Sequence, residues 1–111
     1  MAFTIDTTAQ DGYVVLSVRG DVDIATAPRL RSTLVDAVQQ YATVIVDLDE
    51  VGFMDSTGLG VLVASRNRAG SVGHRLVVAR PQRVVKNALR LVQIDTVIDV
   101  FDTLDDAVAA V

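Results

Sequence analysis

The residues best suited to chemistry form the segment Asp55-Ser56-Thr57-Gly58-Leu59-Gly60, where the sequence predicts the start of a helix. The first N–H groups of a helix lack internal partners and its dipole favours negative charge, so a phosphate can be accommodated there. A phosphate on Ser56 would add about −1.5 to −2 charges at pH 7. Asp55 and Ser56 are also good helix caps. Each glycine costs a helix roughly 0.5–1 kcal/mol relative to alanine, which indicates tight packing or the close approach of another group.

Two other patterns, a dinucleotide-binding loop and the phosphoacceptor-aspartate site of a receiver domain, resemble parts of the sequence. Gly58-x-Gly60 after a strand resembles a dinucleotide-binding loop, but Val63 stands where that pattern needs Gly or Ala. Asp21 and Asp23 imitate the acidic pair of a receiver domain. That type of site also needs a lysine at the end of a strand, and the only lysine, Lys86, lies on a predicted helix.

A phosphatase is a further alternative. Asp47-x-Asp49 at a strand end resembles the nucleophile motif of haloacid-dehalogenase-type phosphatases, and Lys86 and Asp105-Asp106 could serve as the later motifs. Those enzymes need a longer chain, and here the pair follows only one predicted helix. A small phosphatase therefore remains a minor hypothesis.

Composition excludes several other functions. The 111 residues include no cysteine and one histidine, so thiolate catalysis, disulfides and Cys- or His-rich metal sites are excluded, and we expect no cofactor. No apolar run approaches the ~18 residues of a membrane span, and no signal peptide is evident. The net charge of −4 and the lack of aromatic residues among the bases argue against nucleic-acid binding. We expect one cytoplasmic domain over residues 1–111.

Hydrophobic periodicity predicts the element order β-β-α-β-α-β-α-β-α. The predicted strands cover residues 3–8, 13–18, 43–48, 75–79 and 97–101. The predicted helices begin after a cap at Thr26, near Ser56, at Pro81 and after a cap at Thr103. Alternating strands and helices indicate a parallel sheet. The turn Asp11-Gly12 adds an N-terminal β-hairpin, so the fold class is single-domain α/β with a mixed, mostly parallel sheet and about four helices.

Positive charge is concentrated in residues 56–94, which contain seven bases and no acid. On the third helix the predicted apolar stripe faces away from most of them. That stripe is Val84, Val85, Ala88, Leu89 and Val92. We therefore expect solvated helix faces, while a second contact between Arg66 and Arg90 stays open.

Three segments of the sequence resemble a STAS domain of the anti-sigma factor antagonist family. Residues 53–62 resemble the family's signature loop and helix start, and residues 20–27 resemble its Gly-acid-apolar-Asp turn before the first helix. Residues 46–48 with Val51 resemble the strand that leads into the signature. One departure is Val92-Gln93-Ile94-Asp95, where the family has a Thr/Ser-Gly-Leu-Asp-like turn, so the turn lacks its glycine.

The resemblance implies a bacterial partner-switching protein without catalytic residues or a metal of its own. The unphosphorylated form would bind an anti-sigma factor with serine-kinase activity and so release a sigma factor. The kinase would phosphorylate Ser56, with Thr57 a minor candidate, and a metal-dependent phosphatase would restore the serine. The alternative is a STAS subunit that scaffolds a signalling or lipid-transport complex.

By position, Asp23 would contact the kinase. The rest of the implied partner surface comprises Asp21, Thr26, Asp55, Ser56, Thr57, Gly58 and Gly60. A small domain that presents one face to its partner is expected to be a monomer, without membrane contact.

Overall fold

A computed structural model describes residues 2–111; Met1, included in the predicted domain, lies outside the described residues. The strands are β1 (Thr4–Gln10), β2 (Tyr13–Arg19), β3 (Thr43–Glu50), β4 (Arg75–Ala79) and β5 (Val100–Phe101). The helices are α1 (Ala27–Gln40), α2 (Ser56–Ser71), α3 (Arg83–Leu91) and α4 (Leu104–Ala109), with a 3₁₀ turn at Ile94–Thr96. The strands form one sheet in chain order. The β1–β2 pair is antiparallel and the other three pairs are parallel, which confirms the predicted fold class.

β3 is the central strand because its β-branched run is buried on both faces of the sheet. Val44 and Val46 pack on the face covered by α1, α2 and α3, and Ile45 packs on the opposite face with Ala107 of α4. The side chains of these two valines and of Ile45 are fully buried. Because successive side chains of a strand point to opposite faces of the sheet, β3 contributes to the hydrophobic clusters on both faces. Within residues 2–111, none of the helices combines the length and apolarity that crossing a lipid bilayer requires.

The predicted start of α1 after Thr26 is confirmed although the predicted cap does not form, and the predicted starts of the third helix and the last strand are wrong. Thr26 precedes α1 but its side chain does not cap the helix; it bonds within the preceding loop instead, as described below. α3 begins at Arg83 after Gln82, two residues later than predicted from Pro81, because Gln82 is still extended. The last strand begins at Val100 rather than at residue 97, because the N–H groups of Val97 and Ile98 still donate to the Ile94 carbonyl of the 3₁₀ turn.

The apolar stripe predicted for α3 is also too wide. Val85 and Leu89 are buried, whereas Val84 and Val92 are mainly exposed. The two buried positions lie four residues apart on one side of the helix, so α3 presents only a narrow apolar face to the core. Among the seven bases of residues 56–94, Arg75, Arg80 and Lys86 form ion pairs with acids.

Candidate functional site

The two segments that carry the predicted site run side by side at one edge of the sheet. The Val22 N–H donates to the Phe53 carbonyl at 2.9 Å, and the Asp55 N–H donates to the Val22 carbonyl at 3.1 Å. The side chains of Val22 and Met54, which form an isolated parallel bridge, are buried. Because β2 and β3 are parallel neighbours, the chain leaves both at the same edge. The structure therefore brings the loop around Asp23 next to the start of α2.

Asp55 is the N-cap of α2, which confirms the capping interpretation for Asp55 but not for Ser56. Its Oδ1 accepts hydrogen bonds from the N–H groups of Thr57 at 2.9 Å and Gly58 at 3.2 Å. The helix dipole and these unpaired amides favour a carboxylate at this position. Two amides that could have held a phosphate are thus already occupied by a carboxylate.

Ser56 is the first residue of α2 and is exposed. Among residues 2–111 its hydroxyl has no hydrogen-bond partner, and Thr57 beside it is also exposed. The Ser56 hydroxyl can therefore be reached from solvent, and its modification breaks no bond of the fold.

A small hydrogen-bond network fixes the loop around Asp23. Asp23 Oδ1 accepts from the N–H groups of Ala25 at 2.9 Å and Thr26 at 3.2 Å. The Thr26 hydroxyl donates to the Asp21 carbonyl at 2.8 Å and accepts from the Asp23 N–H at 3.0 Å. Thr26, which is half-exposed, thus closes the loop, and its place in the implied partner surface stays a prediction.

The surface around Ser56 carries unneutralised negative charge. Within the described chain, Asp21, Asp23 and Asp55 belong to no ion pair, although Glu50 nearby in the same edge is paired with Arg19. The Arg19 hydrogen bond lowers the pKa of the Glu50 carboxyl. A further negative charge at Ser56 would therefore lie near carboxylates that are not neutralised by a basic side chain.

Two exposed apolar side chains lie in the same pair of segments, and sequence reasoning missed both. Ile24, which follows Asp23, is 77% exposed, and Phe53, which precedes Met54, is 47% exposed. Large apolar side chains beside polar groups are typical of protein–protein contacts. The available signal was that each is a large apolar residue in the short connection between a predicted strand and the helix that follows it.

The two glycines of the signature have different surroundings. Gly58 is buried, and a Cβ added there would lie 2.6 Å from Val22 Cγ1 and 2.7 Å from Met54 Cγ. Packing inside the chain therefore explains Gly58 without a partner, and its implied place in the partner surface stays a prediction. Gly60 is exposed, and an added Cβ would meet nothing within 4 Å.

The residues that the phosphatase hypothesis needs, Asp47 and Lys86, form ion pairs with other side chains. Asp47, only 4% exposed, accepts two hydrogen bonds from Arg80, from Nε at 3.1 Å and from Nη2 at 2.6 Å. This pairing raises the pKa of the Arg80 guanidinium. Lys86 is bound to Asp102 rather than to Asp47 or Asp49. Asp47 would have to leave its guanidinium partner before it could attack a phosphate.

Comparisons with known proteins agree on one family. The family model described as the STAS domain matches residues 4–107. The anti-sigma-F factor antagonist RsfB of Mycobacterium tuberculosis is 32% identical over 111 residues, which cover 99% of this chain and 90% of RsfB.

Solved structures show the same architecture. The crystal structure of an anti-sigma factor antagonist from Mycobacterium paratuberculosis superposes with a TM-score of 0.91 at 30% identity, covering 99% of this chain and 94% of that one. The phosphorylated form of the Bacillus cell fate determinant SpoIIAA has a TM-score of 0.73 at 20% identity and covers 98% of both chains. This last likeness concerns the fold alone.

Proposed function

The chain belongs to the STAS domain family, and on that basis we propose that it is an anti-sigma factor antagonist switched by phosphorylation of Ser56. The unphosphorylated form binds an anti-sigma factor that is also a serine kinase, and so releases a sigma factor. Phosphorylation of Ser56 ends this binding, and a metal-dependent phosphatase restores it. The observation that carries the proposal is the exposed, unbonded Ser56 hydroxyl at the first position of α2, beside the Asp23 loop.

The physical basis of the switch is the environment that a phosphate would meet. Asp55 already occupies the amides of Thr57 and Gly58, so the phosphate cannot take them without displacing the cap. In the described part of the chain, the neighbouring carboxylates of Asp21, Asp23 and Asp55 are not paired with a cation that could neutralise the phosphate, so they repel it. An apolar partner surface seated over Ile24 and Phe53 would also have to desolvate the phosphate, which is costly without a paired cation.

Asp23 and Asp21 form the other half of the proposed contact. Both oxygens of a carboxylate can accept hydrogen bonds, and within residues 2–111 the loop uses only Oδ1 of Asp23. Oδ2 is free to accept from a donor on the partner. The rigid loop holds this acceptor in place before binding, which lowers the entropic cost of association.

The test is intact-mass analysis after incubation with candidate anti-sigma factor kinases and ATP. We expect the mass of one added phosphate on the unaltered chain and on Thr57→Ala, and none on Ser56→Ala. Binding is then measured by calorimetry with the same kinase. Ser56→Ala should bind constitutively, whereas Ser56→Asp should fold normally and lose affinity. Equal affinity of these two variants would refute the switch, and phosphate transfer to Ser56→Ala but not to Thr57→Ala would move it to Thr57.

A further inference from the structure

Helix α3 carries a second apolar strip beside the side chains that it packs into the core. Val84, Ala88 and Leu91 follow one another at intervals of four and three residues, so they lie along one side of the helix. Val84 is 61% exposed and Leu91 is 82% exposed, whereas Val85 and Leu89 of the same helix are buried. Single exposed apolar side chains are ordinary, but a contiguous strip of them is typical of an interaction surface.

The apolar strip lies on the side of α3 that is turned toward α2. On the opposite side of α3, the Lys86 ammonium donates to Asp102 Oδ1 at 2.6 Å, and Asp102 directly follows β5. Among residues 2–111 the α2 backbone packs along α1 but hardly approaches α3, so the helix layer is open between α2 and α3. Exposed Val92 and Val97 continue the strip after α3. Val97 lines a pocket of about 180 Å³ together with Arg66 of α2, so the opening is apolar along α3 and bears a cation on α2.

The arginines around the apolar strip are not neutralised by acids of the chain. Within the described residues, Arg66 of α2 and Arg83 and Arg90 of α3 belong to no ion pair, and all three are exposed. The side chains of Arg66 and Arg90 donate to amide oxygens, those of Asn67 and Asn87. A neutral amide does not compensate the charge of a guanidinium, so each arginine can still pair with a carboxylate.

We propose that the opening between α2 and α3 docks an acidic amphipathic helix of a partner protein. The apolar strip and the three arginines together form this α2–α3 surface. The apolar face of the bound helix covers the strip, and carboxylates on its flanks pair with the arginines. The inference goes beyond the proposed function and does not depend on it.

Two other occupants fit the charges of this surface less well. A second copy that docked through the same strip would bring its own arginines against these, and like charges at an interface repel. An anionic bilayer would attract the arginines, but it would also face Asp95 and Asp102, which line a pocket together with Arg90. A protein helix can place its carboxylates opposite the arginines alone.

The test uses the purified chain and a synthetic peptide of about 20 residues, a length at which an isolated helix can form. The peptide has one leucine face with glutamates on both flanks, and its binding is followed by fluorescence anisotropy. Control peptides carry lysine in place of glutamate, or serine in place of leucine. We expect the glutamate peptide to bind about tenfold or more tightly than either control, and to bind less tightly as ionic strength rises. No binding of the glutamate peptide, or equal binding of the lysine peptide, would overturn the inference.

Matched variants of the chain locate the bound peptide. Leu91→Ser and Val72→Ser each remove an exposed apolar side chain, and only Leu91→Ser should weaken binding, by about tenfold. Arg66→Glu and Arg68→Glu each reverse an unpaired arginine of α2. Arg68 lies two turns after Val61, which faces α1, so only Arg66→Glu should weaken binding, again by about tenfold. All four side chains are exposed and the melting temperatures should not change. Equal losses within either pair of variants would place the peptide elsewhere and overturn the inference.

Two measurements without the peptide decide between the possible occupants. Sedimentation of the chain alone should show no self-association; association that Leu91→Ser abolishes would assign the surface to a second copy. Vesicles of equimolar phosphatidylcholine and phosphatidylglycerol should not sediment the chain; co-sedimentation that Leu91→Ser abolishes would assign the surface to a bilayer. Either result would overturn the inference. None of these assays contains an anti-sigma factor, so their failure leaves the proposed function intact.

Discussion

Replacing Gly58 by alanine tests whether packing inside the chain fixes the position of Ser56. The added Cβ would lie 2.6 Å from Val22 Cγ1 and 2.7 Å from Met54 Cγ, closer than carbon atoms approach in folded proteins. Val22 is fully buried and Met54 is 5% exposed, so neither can swing into solvent. The first turn of α2 must therefore move away from the Val22–Met54 bridge, or the core around the bridge must shift.

The expected magnitude is the difference between two opposing effects. Overpacking a close-packed site costs about 1–3 kcal/mol. Alanine gains up to about 1 kcal/mol over glycine in helix propensity. Because two contacts are this short, the cost should lie in the upper half of its range, about 2–3 kcal/mol, and we expect the free energy of unfolding to fall by a net amount of about 1–2 kcal/mol. For a domain of this size each kcal/mol shifts Tm by about 4 °C, so Tm should fall by about 4–8 °C.

Thermal and urea unfolding followed by circular dichroism measure this change. Gly60→Ala is the control in the same helix, and it should gain about 0.5–1 kcal/mol because its added methyl meets open space. Truncating the neighbour supplies a second check: Val22→Ala combined with Gly58→Ala should cost less than the sum of the two single changes, since the clash is relieved. A Gly58→Ala protein as stable as the unaltered chain would refute the steric argument.

Three further changes have defined outcomes. Gln93, at φ 61°, is a non-glycine residue in the left-handed region, so Gln93→Gly should raise the free energy of unfolding by about 0.5–1 kcal/mol; a lower urea midpoint would contradict this. Asp47→Asn removes the charge that accepts two hydrogen bonds from Arg80 and should cost about 1.5–3 kcal/mol in urea unfolding, whereas an unchanged midpoint would mean that the pair contributes nothing. The hydrogen bond from Arg19 lowers the folded-state pKa of Glu50 below its ordinary value of 4.5, so this pair stabilises the fold above that pH and the contribution is lost as the pH falls through the lower folded-state pKa. Glu50→Gln should flatten the acid limb of Tm against pH, and an NMR titration that gave Glu50 a pKa at or above 4.5 would contradict the assignment.

The parts of the fold that the sequence could predict depend on local chemistry. The run of β-branched residues in β3 and the cap at Asp55 act through neighbours in the chain, and the structure has both. The same holds for the stripe of α1, whose Ala27, Leu30 and Leu34 are buried. Capping preferences and periodicity carry this information without knowledge of the tertiary fold.

What the sequence could not predict depends on contacts between distant segments. The bridge between Val22 and Met54 puts Asp23 beside the start of α2, and no local pattern encodes that pairing. Thr26 satisfies the rule for a helix cap, yet the bridge fixes the preceding loop so that the Thr26 hydroxyl donates to the Asp21 carbonyl instead. Gln93 shows the reverse case, since the backbone adopts the left-handed conformation even though the favoured glycine is absent.

The division of labour between Asp55 and Ser56 explains how a phosphate could act without refolding the domain. If the serine hydroxyl had capped α2, modification would have removed a cap, at a typical cost of about 1 kcal/mol. Instead Asp55 holds the first amides, and the cap is independent of the state of Ser56. The added charge then changes the free energy of binding to a partner, through repulsion and desolvation, and leaves the free energy of unfolding unchanged. A modification with this property lowers affinity while leaving the amount of folded protein unchanged, which is what a reversible switch between partners requires.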